Sequence, residues 1–250
     1  EVNLAPHWQT AREQINFAQA VSPQSSLFAG KLAPKQISTP EYAFNVNYGY
    51  HLDAAKFAEF LRKHCVDKLG VTHIKANVTA INSAENGDIA SIATDSQGNI
   101  EGDLFIDCSG SRALLLGDHF GIPVSSKSDV LFNNTALAAQ IPYSDENDPI
   151  ESCTLSTAQS AGWIWEIGLP TRRGIGHVYS SDHNTEERAS EELLSYIAST
   201  VSQQAAAAAT LRKVQFSPGH RAKFWHKNCV AIGMSAGFIE PLEASALVLV

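Results

Sequence analysis

The sequence predicts an α/β (α+β) fold in which helices alternate with short strands. Two segments carry apolar residues at helical spacing, and several short segments alternate polar and apolar residues between Gly-containing turns. A third observation concerns the segment DLFIDCSG, a short apolar strand that ends in small residues. A buried strand of this kind usually delivers a loop towards a ligand. We therefore expect a layered sheet and helix region with a binding loop at a strand end.

Helices are predicted by their apolar stripes and their caps. Asp53 is a good N-cap for a helix whose stripe includes Phe57 and Leu61, and Gly70 ends it. The segment TEERASEELLSYIASTV starts with acidic residues and has a stripe through Ala189, Leu193, Ile197 and Val201. A weaker periodicity predicts a helix over residues 8–21, and residues 205–209 form a helix or a linker.

Strands are predicted where short apolar or alternating segments are bounded by turn residues. The pair Asn86-Gly87 predicts a hairpin. Five segments are expected to contain strands, at residues 72–83, 87–110, 130–142, 162–169 and 174–181, and residues 223–233 are expected to form a single strand. The last segment, residues 234–250, is predicted to turn into a helix.

The composition excludes several classes of function. With 18 basic and 26 acidic residues, the net charge of −8 disfavours a nucleic-acid partner. No apolar run approaches the roughly 20 residues that span a bilayer, so we expect a cytoplasmic protein without a membrane partner. The four cysteines are scattered and the histidines lack ligand-like spacing, so no metal site is expected. Because there is no initiating Met and the end is apolar, the chain is expected to be an internal segment.

The segment GMSAGFIEPLEASA permits two interpretations. Gly233 to Gly237 spell the G-x-S-x-G of a serine hydrolase with Ser235 as nucleophile, but no His follows Ser235 as that fold requires. The alternative is that these small residues let the backbone pass close to a flat ligand. Pro241 starts a predicted helix, which places Glu243 in its first turn, either as a surface residue or beside N–H groups that bind an anion.

The segment GWIWEIGLP is the least ordinary part of the sequence. Trp163 and Trp165 are two residues apart, so both point to the same face of a strand. They form either an ordinary core cluster or a rigid aromatic wall.

Five segments in order resemble the flavin-dependent tryptophan halogenase family: YGYHLDA, GDLFIDCSGSR, SAGWIWEIGLP, GIGHVYSS and NCVAIGMSAGFIEPLEASA. The family pattern G-W-x-W-x-I-P is similar to residues 162–168, with Gly168 at the position of its Pro. The family pattern P-L-E-S-T-G is similar to residues 241–246, with three departures at its end, Ala244, Ser245 and Ala246.

This resemblance implies a two-domain FAD-dependent monooxygenase-like fold and an oxidoreductase activity. Family members receive reduced FAD from a separate flavin reductase and form a flavin hydroperoxide with O2. Chloride or bromide attacks it, and the resulting hypohalous acid halogenates an electron-rich aromatic such as tryptophan or another indole. The Gly-rich FAD loop and the catalytic Lys are implied to lie before Glu1, and most of the indole pocket after Val250. The segment alone is expected neither to retain FAD nor to halogenate.

The resemblance also assigns roles to residues and regions. Glu243 is the implied catalytic carboxylate, which assists at the reacting ring. The implied cofactor-binding residues are Val78, Met234, Leu247, Trp163 and Trp165, and the implied halide-binding residues are Ser245 and Ala246. Asp107, Ser109 and Gly110 are expected to shape the strand end near FAD. The regions are residues 42–121 for FAD binding, 122–227 for a β-sheet on the substrate side and 228–250 for a return to the FAD and halide site.

Two further alternatives remain within this fold. An aromatic hydroxylase would use the same cofactor without halide. A catalytically silent binding protein would keep the fold, which the changes at Ser245 and Ala246 make conceivable.

Overall fold

The computed structural model describes residues 2–145 and 147–239, which form two compact units. The first unit takes its described residues from 1–57, 138–177 and 190–212, and the second from 58–137, 178–189 and 213–250. The division proposed from the sequence, at residues 42–121, 122–227 and 228–250, stays a prediction.

Six α-helices occur in the part of the chain that the structure describes. Their bounds are α1 Ala5–Gln9, α2 Phe17–Val21, α3 Gln24–Ala29, α4 Ala54–Leu69, α5 Glu186–Thr200 and α6 Gln203–Ala208. The single helix predicted over residues 8–21 is wrong. The side chain of Asn16 accepts a hydrogen bond from the backbone N–H of Gln19 at 2.9 Å, so Asn16 caps a new helix instead of continuing the first.

The helices α4 and α5 confirm the two stronger predictions. Asp53 precedes α4 and its Oδ1 accepts a hydrogen bond from the Lys56 N–H at 3.4 Å, and Gly70 follows the helix with φ of +69°. The stripe of α5 is buried, since Ala189, Leu193 and Ile197 are each 0% exposed. The apolar stripe of α4 is not buried, since no residue of that helix is buried in the described part of the chain.

Fourteen strands are described, and they form four sheets. Their bounds are β1 Val78–Ser83, β2 Ile89–Thr94, β3 Gly98–Glu101, β4 Phe105–Asp107, β5 Val124–Ser126, β6 Thr135–Pro142, β7 Leu155–Gln159, β8 Gly162–Leu169, β9 Arg172–Tyr179, β10 Arg212–Gln215, β11 Gly219–Arg221, β12 Trp225–His226, β13 Cys229–Ala231 and β14 Gly237–Phe238. The sheet orders are β1-β2-β3, β10-β6-β9-β8-β7, β14-β11-β5 and β12-β13-β4. The predicted hairpin at Asn86-Gly87 is confirmed by the antiparallel pairing of β1 and β2.

One strand prediction needs correction. Residues 223–233 form a small hairpin of β12 and β13 because Lys227 adopts a positive φ of +54° between them. Asn228 then fixes β13 to β2, since its side chain accepts from the Ile89 N–H and donates to the Ile89 carbonyl, both at 2.9 Å.

The core of the second unit surrounds β4 and β13. It contains Ile89, Phe105, Leu115, Leu116, Cys229 and Ala231. Leu115 and Leu116 of this core belong to a π-helix at Leu114–His119, which follows a 3-10 turn at Gly110–Arg112. Within residues 2–145 and 147–239, no helix is long and apolar enough to cross a membrane.

Cys229 in this core and Cys108 next to Asp107 are expected to differ in reactivity. Burial, followed by the charge of Asp107, raises the pKa of the Cys229 thiol to about 11, whereas Cys108 is exposed. Because the thiolate is the reactive form, iodoacetamide at pH 8 should alkylate Cys108 and spare Cys229 in the folded full-length protein. Peptide mass spectrometry measures both, with a urea-unfolded sample as control. Equal alkylation rates in the folded protein would contradict this burial.

Candidate functional site

Two parallel strands carry the candidate site of the second unit. β4 and β13 pair in parallel, with Phe105 opposite Cys229, Ile106 opposite Val230 and Asp107 opposite Ala231. Because the strands run in the same direction, the loops that follow them leave from the same sheet edge. Ligands of open α/β sheets bind at this carboxyl edge.

Asp107 anchors the loop after β4. Its side chain is buried and accepts four hydrogen bonds, from the Ser109 N–H and Oγ at 3.1 and 2.6 Å and from the Leu115 and Leu116 N–H groups at 2.9 and 2.8 Å. Burial by itself would raise the pKa of Asp107, but the bonds from Ser109, Leu116 and Leu115 outweigh it and lower the pKa below its usual value. The carboxylate therefore ties the turn and the start of the π-helix to the strand end.

A second set of hydrogen bonds fixes the loop after β13. The Oγ of Ser235 bonds to the carbonyl oxygens of Asp107 and, at 2.7 Å, of Ile232. The guanidinium of Arg221 donates to the carbonyl oxygens of Ser235 at 3.2 Å and Ile122 at 2.7 Å. The Ser235 side chain therefore joins the loop after β13 directly to the end of β4. The Arg221 side chain joins the same loop to the segment at Ile122.

Glycines leave room at the surface of both loops. Gly110 and Gly233 have positive φ values of +72° and +67°, which favour glycine, and among the described residues no atom lies within 4 Å of the position that a Cβ would occupy on either glycine. Met234, next to Gly233, is 50% exposed. Backbone without side chains at the ends of parallel strands lets a ligand approach closely.

The serine hydrolase interpretation is not supported by this geometry. A nucleophilic Ser needs an exposed Oγ on a sharp turn. Ser235 is instead 1% exposed, and its Oγ bonds to two backbone carbonyl oxygens. Its role in the described structure is to link β13 to β4.

The tryptophan pair lies in the first unit, on β8. Trp163 and Trp165 project from the same face, as the alternation predicts, with ring centroids 6.2 Å apart and an interplanar angle of 60°. Across the antiparallel partner β7 they face Ala158 and Ser156. Both rings are partly exposed, which a fully buried core cluster would not show.

Trp165 also depends on a glycine in the next strand. A Cβ on Gly176 of β9 would overlap the six-membered ring of Trp165, whereas a Cβ on Gly174 would meet no atom of the described residues within 4 Å. The indole therefore lies across the backbone of β9 at Gly176. The absence of a side chain there is a packing requirement.

A matched pair of variants tests this packing. Gly176→Ala should lower the free energy of unfolding by about 1–3 kcal/mol, typical of overpacking, and change the near-UV circular dichroism of the indoles. Gly174→Ala, in the same strand with open space, should do neither. Thermal melts and spectra of the full-length protein measure both effects. Equal behaviour of the two variants would mean that Trp165 does not lie over Gly176.

The other predicted site residues are only partly covered by the described structure. Val78 begins β1 and is 43% exposed, in a different sheet from the strand that precedes Met234. Glu243, Ser245, Ala246 and Leu247 lie outside the described residues. The roles implied for all of these residues stay predictions.

Two features of the structure were missed from the sequence. Arg221 contacts segments that are about 100 and 14 positions away in the chain, and no local pattern marks such closure. Glu166 is buried on β8 and bonds to Arg173 and Tyr196. The sequence did indicate that Glu166 would be buried, because Glu166 shares the strand face of the apolar Ile164.

Comparison with known proteins decides the family. A family model described as "Tryptophan halogenase" matches residues 1–250. The chain belongs to the tryptophan halogenase family. The crystal structure of a tryptophan halogenase from Shewanella frigidimarina NCIMB 400 has 53% sequence identity and a TM-score of 0.93, over 100% of this chain and 47% of that chain.

Other relatives of this chain support the same family. The tryptophan 7-halogenase KtzQ of Kutzneria sp. (strain 744) is 37% identical over 98% of this chain and 45% of its own length. BrvH, a flavin-dependent halogenase from Brevundimonas sp. BAL3, has 31% identity and a TM-score of 0.84 over 99% of this chain and 50% of that chain. The predicted family and α/β fold class are confirmed. The chain spans about half the length of these relatives.

Proposed function

We propose that the full-length protein is a flavin-dependent halogenase that chlorinates or brominates tryptophan or another electron-rich indole. The observation that carries this proposal is the joined pair of loops after β4 and β13, open at Gly110 and Gly233, in a chain of the tryptophan halogenase family. The printed activity of KtzQ, a tryptophan 7-halogenase, supports the substrate class.

FAD would be held by the loops after β4 and β13, with Met234, Val78 and Leu247 as the contacts that the family resemblance implies. When bound, FAD that a separate flavin reductase has reduced would supply two of the four electrons that O2 accepts, and chloride or bromide would supply the other two as it is oxidised to hypohalous acid. The backbone N–H groups at Ser245 and Ala246 would bind the halide, since backbone donors survive a change of side chain. Trp163 and Trp165 would keep the organic substrate away from the flavin.

Glu243 would act at the reacting ring. Electrophilic halogenation leaves the ring carbon with both a halogen and a proton, and the ring with a positive charge. A carboxylate stabilises this charge and accepts the proton, which restores aromaticity. This task requires an ionised Glu243 beside the substrate.

The proposal is tested with the full-length protein, FAD, NADH, a flavin reductase, O2 and tryptophan. Product masses are compared with bromide, with chloride and without halide. We expect halogenated tryptophan with the isotope pattern of the added halide, and no altered product without it. Addition of oxygen regardless of halide would identify an aromatic hydroxylase. Bound FAD without any product would identify a binding protein.

A further inference from the structure

A buried carboxylate lies directly behind the tryptophan pair. Glu166 sits between Trp165 and Ile167 on β8, so its side chain points to the opposite face from the indoles. It is 2% exposed, and both of its oxygens are used. Oε1 accepts from Arg173 at 3.1 Å, and Oε2 accepts from the Tyr196 hydroxyl at 3.0 Å.

These contacts join three elements of the first unit. Glu166 belongs to β8, Arg173 to the neighbouring strand β9 and Tyr196 to α5. Burial raises the pKa of Tyr196, so its hydroxyl keeps the proton that it donates to Glu166. One carboxylate thus holds the strand of the tryptophan pair to both the next strand and the helix.

A fourth side chain, Tyr143, connects this network to Gly168, the residue at the position of the family's proline. The Arg173 guanidinium lies 5.1 Å from the centroid of the Tyr143 ring. A Cβ on Gly168 would lie 3.3 Å from the Tyr143 hydroxyl and 2.8 Å from Cγ2 of Ile150. Tyr143 and Ile150 therefore pack against the backbone at Gly168, the position at which the family pattern has its proline.

Stability alone is a weak explanation for such a network. A buried ion pair often contributes little beyond an apolar replacement, because desolvation offsets the attraction, whereas in some proteins buried polar groups select one arrangement of the chain. Here the geometry concerns Trp165, whose ring occupies the space directly above Gly176 of β9. The Glu166–Arg173 pair links the same two strands from the other face.

We propose that Glu166 and Arg173, with Tyr143 against the Arg173 guanidinium, are positioning residues for the tryptophan pair, because they hold β8 to β9 from the face opposite the indoles. The effect of these positioning residues on the substrate rests on the proposed function, in which Trp163 and Trp165 separate the organic substrate from FAD. The positions of the indoles themselves do not depend on that function. The inference can therefore be measured without turnover.

The experiment uses 19F NMR of the full-length protein labelled with 5-fluorotryptophan. Trp163→Phe and Trp165→Phe assign the two resonances. Glu166→Gln, which keeps the shape and removes the charge, should shift or broaden both resonances at temperatures where the fold is intact, as should Arg173→Gln. Arg173→Lys, which keeps the charge, should restore part of the native pattern. Lys213→Gln breaks the exposed pair with Glu186 and should leave the resonances unchanged.

The outcomes separate positioning from simple stabilisation. A lower melting temperature for Glu166→Gln with unchanged Trp163 and Trp165 resonances would overturn the proposal. If halogenation is observed, the same variant should raise peroxide released per halogenated product, with FAD content unchanged. Altered resonances in a protein that does not halogenate would support the positioning role and reject the proposed function. Altered resonances without extra peroxide release would keep the positioning role and reject only its effect on the separation of substrate from FAD.

Discussion

Asp107→Asn is expected to lower the free energy of unfolding by about 2–4 kcal/mol. The carboxylate is buried and accepts four hydrogen bonds from the turn and the π-helix that follow β4. A bond to a charged acceptor contributes roughly 1.5–3 kcal/mol, and the Asn amide group presents donors to N–H groups that need an acceptor. Thermal and urea unfolding of the full-length protein, together with titration of FAD, measure the loss. FAD affinity should fall as well, because the loop at Gly110 loses its anchor.

The control is Asp118→Asn in the same segment. Asp118 has a side chain that is 58% exposed and a 3.5 Å contact with the exposed Arg112. An exposed pair of this kind contributes little, so the variant should unfold like the wild type. Equal stability of the Asp107 and Asp118 variants would mean that the buried carboxylate does not hold the strand end.

The effect of Asp107 should also depend on pH. Because its pKa is lowered in the folded state, its charged form stabilises the fold above the unfolded pKa, and this contribution is lost as the pH falls through the folded value. The difference in melting temperature between wild type and Asp107→Asn should therefore be full near pH 7. It should shrink below roughly pH 4, the usual range of an Asp carboxyl. A difference in melting temperature that grows as the pH falls would contradict a lowered pKa of Asp107 in the folded protein.

Glu243→Gln is expected to lower the turnover number of the full-length protein by roughly 10²–10⁴-fold, the usual contribution of a general acid or base. The amide cannot accept the proton of the reacting ring and gives weaker stabilisation of its positive charge. FAD content and the KM for tryptophan should change far less, since the loss concerns the transition state. Product formation at saturating bromide gives the turnover number.

The matched control is Glu240→Gln, three residues earlier in the same segment. It removes an equal charge from a position to which the family pattern assigns no proton transfer. Turnover near the wild-type value is expected. If the two variants lose activity equally, or if neither does, the role inferred for Glu243 is wrong.

The sequence predicted most elements whose signals are local. The caps Asp53 and Gly70, the Asn86-Gly87 turn and the stripe of α5 each depend on neighbouring residues, and each is confirmed. The prediction of one helix over residues 8–21 is wrong because periodicity alone overlooked Asn16, whose side chain caps a second helix. Lys227 interrupts a predicted strand through a positive φ that its residue type does not announce.

The candidate site was predictable only in part, for the same reason. The small residues after Asp107 and the alternation of Trp163 and Trp165 were visible from the sequence. The contacts of Arg221 and the partners of Glu166 arise when distant segments pack together, and one sequence without its relatives does not show them. Such long-range closure is what positions the loops and the indoles.

The most direct measurement is the product of a single turnover. The full-length protein is loaded with chemically reduced FAD and mixed with O2, tryptophan and bromide, and the product mass is recorded. We expect monobrominated tryptophan with the bromine isotope pair, and unaltered tryptophan when bromide and chloride are both withheld. Tryptophan that gains one oxygen whether or not halide is present would contradict a halogenase.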